Sequence, residues 1–234
     1  MKKTAIISPI RGLEQFLSVE DMENIRESFF EMQHLYESAT HEIKTKLEIL
    51  DDEFKFKHKR NPIHHMQSRI KDIDSISGKL ERKGRDISIH SAKENLTDIA
   101  GIRVICSYIN DIYMIAKMLT LQDDITVVRE TDYIKNPKLN GYRSLHLVVT
   151  VPVFFSDRKE LVPVEIQIRT IAMDFWASLE HQLRYKAIDE IPPMVIKELR
   201  ECADTIANTD LKMQDIYYTM EEINCNEDSN SFKY

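Results

Sequence analysis

The chain has 234 residues, 42% of them hydrophobic, enough for one generous core with helical extensions. Five Gly, seven Pro and 30% charged residues exclude a linker-rich or low-complexity protein and favour helices joined by short connections. The net charge of −7 argues against a general nucleic-acid binder, and three cysteines without CxxC spacing (Cys106, Cys202, Cys225) suggest neither a disulfide framework nor a zinc site.

The opening MKKTAIISPIRG is basic, but Pro9 cuts its apolar run, so no secretory segment is expected. No stretch is long enough to span a bilayer, and the expected compartment is the cytoplasm. Apolar residues recur at helical spacing from about Met22 to Leu50 (Ile25, Phe29, Met32, Tyr36, Ile43, Leu47, Leu50), which reads as one or two amphipathic helices. KHKRNP interrupts them, because Pro62 biases Asn61 away from the helical region. From His65 to Lys83 the spacing of Met66, Ile70, Ile73, Ile76 and Leu80 predicts a further helix stopped by Gly84. Between Lys55 and Arg85 stand ten Lys/Arg and three acids, a local charge of +7 that leaves −14 elsewhere. A cationic segment in an acidic chain suits a small polyanion better than a long one, although a solvated basic helix shows the same count.

IAGIRVICSYI then reads as a strand, DIYMIAKMLTL as a helix and ITVVRETDYI as a second strand. NPKLNG is a turn by composition. YRSLHLVVTVPVFF and LVPVEIQIRT form an expected antiparallel pair joined around Asp157. A helix follows over Ile171 to Lys186, and another from about Met194 to Ile223, whose apolar stripe packs back on the domain or onto another subunit; from Asn224 the pattern frays. The order of helix, strand, helix, three strands and helix is an α+β pattern.

LVPVEIQIRT sends Val164, Ile166 and Ile168 to one face and Glu165, Gln167 and Arg169 to the other. Such a row is either a wet sheet face or a working one. Asp98 stands just before the strand at IAGIRVIC. Two carboxylates at the ends of neighbouring strands beside a cationic segment are what a magnesium ion bridging to nucleotide phosphates requires. Tyr142 and His146 lie four apart on the strand after the turn and share a face, so with Lys138 in the turn a purine could lie on the Tyr142 ring.

RIKDIDSISGKLERKG, DIAGIRVIC, DYIKNPKLNGYRSLH and VEIQIRTIAMDFWASLEH, in that order, resemble the synthetase domain of the RelA/SpoT superfamily from about residue 40 to residue 187. The short length points to its small alarmone synthetases, nearer the RelP-type than the RelQ-type branch. The resemblance implies a nucleotidyltransferase-like fold, with a mixed, mainly antiparallel sheet flanked by helices and long terminal helices. It also implies Mg2+-dependent transfer of pyrophosphate from ATP to the ribose 3′-hydroxyl of GDP or GTP, giving ppGpp or pppGpp and AMP. By position, Arg69 and Arg103 match a pair sandwiching adenine, and Lys71, Ser75, Lys79 and Arg82 match the segment holding the ATP phosphates. Asp98 matches the magnesium ligand. Glu165 matches the second acid, assigned to the metal, to activation of the 3′-hydroxyl, or to both. Tyr142 matches the guanine-stacking residue, with Lys138, His146 and Gln167 near the acceptor nucleotide.

A helical region over 1–50, a synthetase domain over 51–187 and an oligomerisation helix with tail over 188–234 follow, with a homotetramer implied. His64-His65 lacks the HD pair of the hydrolase domain found in long relatives, so synthesis without hydrolysis is expected. Ser77 and Gly78 stand where relatives often carry a bulkier or charged residue, and NPIHHMQS departs from the RelQ-type pattern. Two rivals rank below this reading. A binding module without catalysis should lack one acid. Another kind of nucleotidyltransferase normally places its two acids one residue apart, whereas IAG follows Asp98.

Overall fold

The computed structural model describes residues 19–186 and 191–231; residues 1–18, which include MKKTAIISPIRG, and residues 187–190 and 232–234 lie outside it. Eleven elements follow in chain order: α1 (Val19–His58), β1 (Ile63–Ile70), α2 (Ile73–Arg82), α3 (Ile89–Asn95), β2 (Ala100–Cys106), α4 (Ile109–Thr120), β3 (Thr126–Asp132), β4 (Leu145–Phe154), β5 (Lys159–Thr170), α5 (Ile171–Lys186) and α6 (Pro193–Ser231). The strands form one sheet in the order β1-β2-β5-β4-β3. β2 and β5 run parallel, and every other pair is antiparallel. The fold is therefore α+β with a mixed sheet and long terminal helices.

Strand alternation sets the two faces of the sheet. Ile102, Val104, Leu145, Leu147, Val149, Val164, Ile166 and Ile168 project into the main core, where they meet Met32, Tyr36, Ile43 and Leu47 of α1 and Ile112, Ile115 and Leu119 of α4. Burying a side chain of this size contributes about 1.5–3 kcal/mol, so this single apolar face is the dominant stabilising element. α1 is one helix that runs unbroken through residue 51, and its inner face belongs to the same core as the sheet.

The expected helix over His65 to Lys83 is corrected: residues 63–70 are β1, and helix begins only at Ile73. Met66 and Ile70, four apart, share a face in a strand as they do in a helix, so that spacing cannot separate the two. Pairing decides it, because β1 adds to the edge of β2 and places Arg69 opposite Gly101 and Gln67 opposite Arg103. Asp72 then starts α2 as its N-cap, accepting the Ser75 amide at 2.7 Å. Gly84, at φ 62°, ends the turn after α2, as expected. Two further expectations shift: Tyr142 precedes β4 rather than lying on it, and α6 continues past Asn224 to Ser231.

Arg60, just after α1, ties distant parts together. Its guanidinium donates two hydrogen bonds to Asp111 of α4 at 2.9 and 2.7 Å and one to the Tyr217 hydroxyl of α6 at 2.9 Å. Nearby, Gln214 of α6 accepts the Asn110 amide at 2.8 Å.

Asp132 shapes the loop between β3 and β4. Its Oδ1 accepts the amides of Ile134 at 2.9 Å and Lys135 at 3.0 Å, and its Oδ2 accepts the Tyr113 hydroxyl at 3.1 Å. Partial burial raises the Asp132 carboxyl, but the hydrogen bonds from Lys135, Tyr113 and Ile134 outweigh it and hold the carboxyl below the usual range. A depressed folded-state value stabilises the protein above the unfolded Asp value of about 3.9 and is lost as pH falls through the folded one. Asp132→Asn should therefore lower stability by about 1–2 kcal/mol near neutral pH in urea titrations. The gap from the wild type should narrow below about pH 4.

Candidate active site

The sheet face opposite the core is polar where β1, β2, β5 and β4 lie side by side. In register across it stand Arg69 and Gly101, then Glu165; one step along stand Gln67, Arg103, Gln167 and His146. A cleft on this face is lined by Gln67, Arg69, Asp98, Gly101, Ile102, Arg103, Glu165 and Gln167. The two carboxylates that the sequence places 67 positions apart thus face one cavity. A Cβ on Gly101 would meet Arg69 Cγ at 3.8 Å and the Glu165 carbonyl at 3.9 Å, so glycine keeps the floor open between the arginine and the acid.

Asp98 receives two cations. Lys71 Nζ lies 3.0 Å from its Oδ2, and Lys79 of α2 donates to the same oxygen. Burial raises the Asp98 carboxyl, yet hydrogen bonds and charge from Lys79 and Lys71 bring it below the usual carboxylate range. Its Oδ1 is buried with no partner. A buried, ionised oxygen without a donor is costly unless a ligand completes it.

Glu165 heads a chain of polar contacts. Gln167 Nε2 donates to Glu165 Oε2 at 3.0 Å, and Arg169 Nη2 donates to Gln167 Oε1 at 3.0 Å. On the other side, His146 Nδ1 lies 3.5 Å from Glu165 Oε1, and His146 Nε2 is 2.8 Å from the Tyr142 hydroxyl. Burial pushes the Tyr142 phenol up, so it stays protonated with its hydroxyl in hydrogen-bond reach of Nε2. Burial raises the Glu165 carboxyl, but His146 and Gln167 outweigh it and hold it below its usual range, while Asp98 pushes the other way. Lys138 Nζ sits 4.8 Å from the centre of the Tyr142 ring.

The expected site residues therefore fall into two groups. Asp98, Arg69, Arg103, Lys71 and Lys79 gather at the β1, β2 and α2 side; Tyr142, Lys138, His146 and Gln167 gather at the β4 and β5 side, with Glu165 between them. Ser75 and Arg82 are exposed on α2, and their spacing from Lys79 places all three on one helical face. Neither lines the cleft itself. Sequence reasoning missed Gln67 and Gly101. The signal for Gly101 was present, since a glycine stands at an outward position of an otherwise alternating strand. It also gave no role to Arg169, which is 98% buried, or to Asp174, which lies 3.6 Å from Arg169 and 3.8 Å from Arg103.

Among the described residues, no cluster of three or more His, Cys, Asp or Glu side chains forms. Two carboxylates, one with a free oxygen, suit an oxygen-loving divalent cation that takes its remaining ligands from phosphate and water. Two acids face one cleft on this α+β fold, lysines pair with one of them, and His146, itself 2.8 Å from the Tyr142 hydroxyl, stands beside the other, an arrangement suited to phosphate chemistry. The family described as the region found in RelA/SpoT proteins matches residues 68–190. The chain is 44% identical over 195 residues to the GTP pyrophosphokinase YwaC of Bacillus subtilis, covering 83% of this chain and 93% of that one. The crystal structure of small alarmone synthetase 2 from Bacillus subtilis matches with a TM-score of 0.72 at 44% identity, covering 79% of this chain and 96% of that one. Small alarmone synthetase 1 of the same organism, bound to its product pppGpp, matches with a TM-score of 0.72 at 38% identity, over 79% and 93% of the two chains. The chain belongs to the RelA/SpoT family, and its likeness runs to the small, synthetase-only members.

Replacing Gln167 by Leu would leave Arg169 Nη2 buried without its acceptor and Glu165 without its amide donor. Urea titration of Gln167→Leu should show a loss of about 1–3 kcal/mol.

Proposed function

We infer that the chain is a GTP pyrophosphokinase that makes (p)ppGpp, moving pyrophosphate from ATP to the 3′-hydroxyl of GDP or GTP and releasing AMP. The observation that carries this reading is the convergence of Asp98 and Glu165 on one cleft, with Arg69 and Arg103 lining it and Tyr142 and Lys138 grouped beyond His146. On the donor side, Arg69 and Arg103 offer planar guanidinium groups suited to holding adenine. Lys71, Lys79, Ser75 and Arg82 present cations and a hydroxyl to the phosphates. On the acceptor side, the Tyr142 ring takes guanine, Lys138 supplies charge near it, and His146 and Gln167 orient the ribose toward Glu165.

In the step, the 3′-oxygen bonds to the β-phosphorus, the bond from that phosphorus to the α,β-bridging oxygen breaks, and AMP leaves in line. The 3′-hydroxyl proton passes to Glu165. The depressed Glu165 carboxyl is ionised at neutral pH but holds a proton weakly, so its main contribution is to orient and polarise the hydroxyl, with base strength secondary. Magnesium, held by Asp98 Oδ1 and Glu165, would supply charge neutralisation to the transferring phosphates. With Lys71 and Lys79 drawn to Asp98, the cations stand ready to transfer to phosphate oxygens as substrate enters.

A cytoplasmic homotetramer is part of the same proposal. No helix among the described residues is long and apolar enough to cross a membrane. α6 packs one face on the protein through Leu199, Ala203 and Ile206 and exposes Met213, Ile216, Met220 and Ile223 at i+3/i+4 spacing, a stripe suited to another copy.

Purified protein incubated with labelled ATP, GDP and Mg2+ should yield AMP and ppGpp only when the guanine nucleotide is present. Asp98→Asn and Glu165→Gln should each lower kcat by at least about 100-fold while melting within a few degrees of the wild type. Unchanged turnover in either variant would remove that acid from the mechanism.

A further inference from the structure

The loop carrying Tyr142 rests on α6. A Cβ on Gly141 would lie 2.5 Å from Ala203 Cβ and 3.3 Å from Arg200 Cα, so the loop backbone touches the helix with no room for a side chain. Gly141 also adopts φ 93°, which other residues rarely tolerate. On the next turn of contact, Arg143 Nη2 donates to Asp204 Oδ1 at 2.8 Å, while its Nη1 donates to the Gly141 carbonyl at 3.0 Å and to the Ala203 carbonyl at 3.4 Å. Tyr142 itself packs against the small core of Trp176, Ala177 and Ala203, with Leu199 and Ile206 beside it. Trp176 Nε1 locks this core by donating to the Leu199 carbonyl at 3.0 Å. Asp204 is half exposed, so its ion pair contributes little by itself. The steric seat of Gly141 on Ala203, and the Arg143 guanidinium spanning both backbones, carry the contact. The family match ends at residue 190, short of α6.

We propose that α6 is the floor of the acceptor subsite, with Arg143 and Ala203 as positioning residues that hold the Tyr142 ring where the guanine base must lie. This rests on the assignment of Tyr142 to the acceptor nucleotide. Arg69 and the lysines at Asp98 belong to other elements, and Arg103 meets the seat's helix α5 at Asp174, 3.8 Å away, so the donor side touches the seat through that one partly exposed pair. The two sides of the reaction are thereby separable by mutation.

Arg143→Gln removes the guanidinium fork, and Ala203→Val pushes the loop off the helix from the opposite side of the contact. Binding of GDP alone and of a non-hydrolysable ATP analogue alone is measured by calorimetry for the wild type and both variants, with Tm recorded alongside. Each variant should bind GDP about tenfold more weakly, with the ATP analogue affinity within about twofold and Tm nearly unchanged. Unchanged GDP affinity overturns the inference. So does an equal loss of both affinities, with or without a fall in Tm, since that is what general loosening of the fold produces. A wild-type protein that binds no GDP would instead remove the acceptor assignment itself, a result distinguishable from either.

Discussion

The register between β2 and β5 is the constraint on which everything else depends. These are the two parallel neighbours in an otherwise antiparallel sheet, and they set Gly101 opposite Glu165 and Arg103 opposite Gln167. A shift of one residue would turn Glu165 into the core and bring Ile166 out to the cleft. The parallel pairing also makes both strands start at the same end of the sheet, so Asp98, just ahead of β2, arrives beside a residue within β5. α4, β3 and β4 all lie in the connection between the two strands, and α4 packs back on the sheet's apolar face. Core packing thus fixes the register, and the register fixes the chemistry.

The cleft is held in an electrostatic balance that favours a ligand. Asp98 is outnumbered by two lysines yet keeps one oxygen unpaired, and Glu165 is kept ionised by its neighbours. Arg169 is drawn below its usual value by burial, with Arg103 nearby adding to that and Tyr142 and Asp174 opposing it. Several buried nitrogens and oxygens here, among them Arg103 Nε, Arg169 Nε and Asp174 Oδ1, have no hydrogen-bond partner. Unsatisfied polar groups cost stability, and their concentration beside the cleft is the familiar signature of a site organised for binding rather than for folding.

Much of this was legible in the residue pattern. β5 alternates without error, so its polar row could be read, and the acids, the arginines and Tyr142 could be named from ordered motifs. The missing parts depended on pairing. β1 was read as helix because Met66 and Ile70 fit both periods, and only its place beside β2 shows why Arg69 faces Gly101. Gln67 and Gly101 line the cleft through register alone, which no single strand reveals. Arg169 stood in the polar row, but its burial is created by α5 and the Tyr142 loop folding over it, contacts between segments far apart in the chain. The apolar stripe of α6 announced a packing face. What it packs against, the loop around Gly141, was invisible because a glycine and an alanine carry no pattern.

The reliance on α6 has a temporal side. Gly141 precedes Ala203 by about sixty residues, and Arg60 finds Tyr217 157 residues later. During synthesis from the N-terminus, the sheet and its acids can assemble while α6 is still being made. A nascent chain at that stage holds both acids in register but lacks the helix on which the Tyr142 loop rests, which is the last element to emerge and dock.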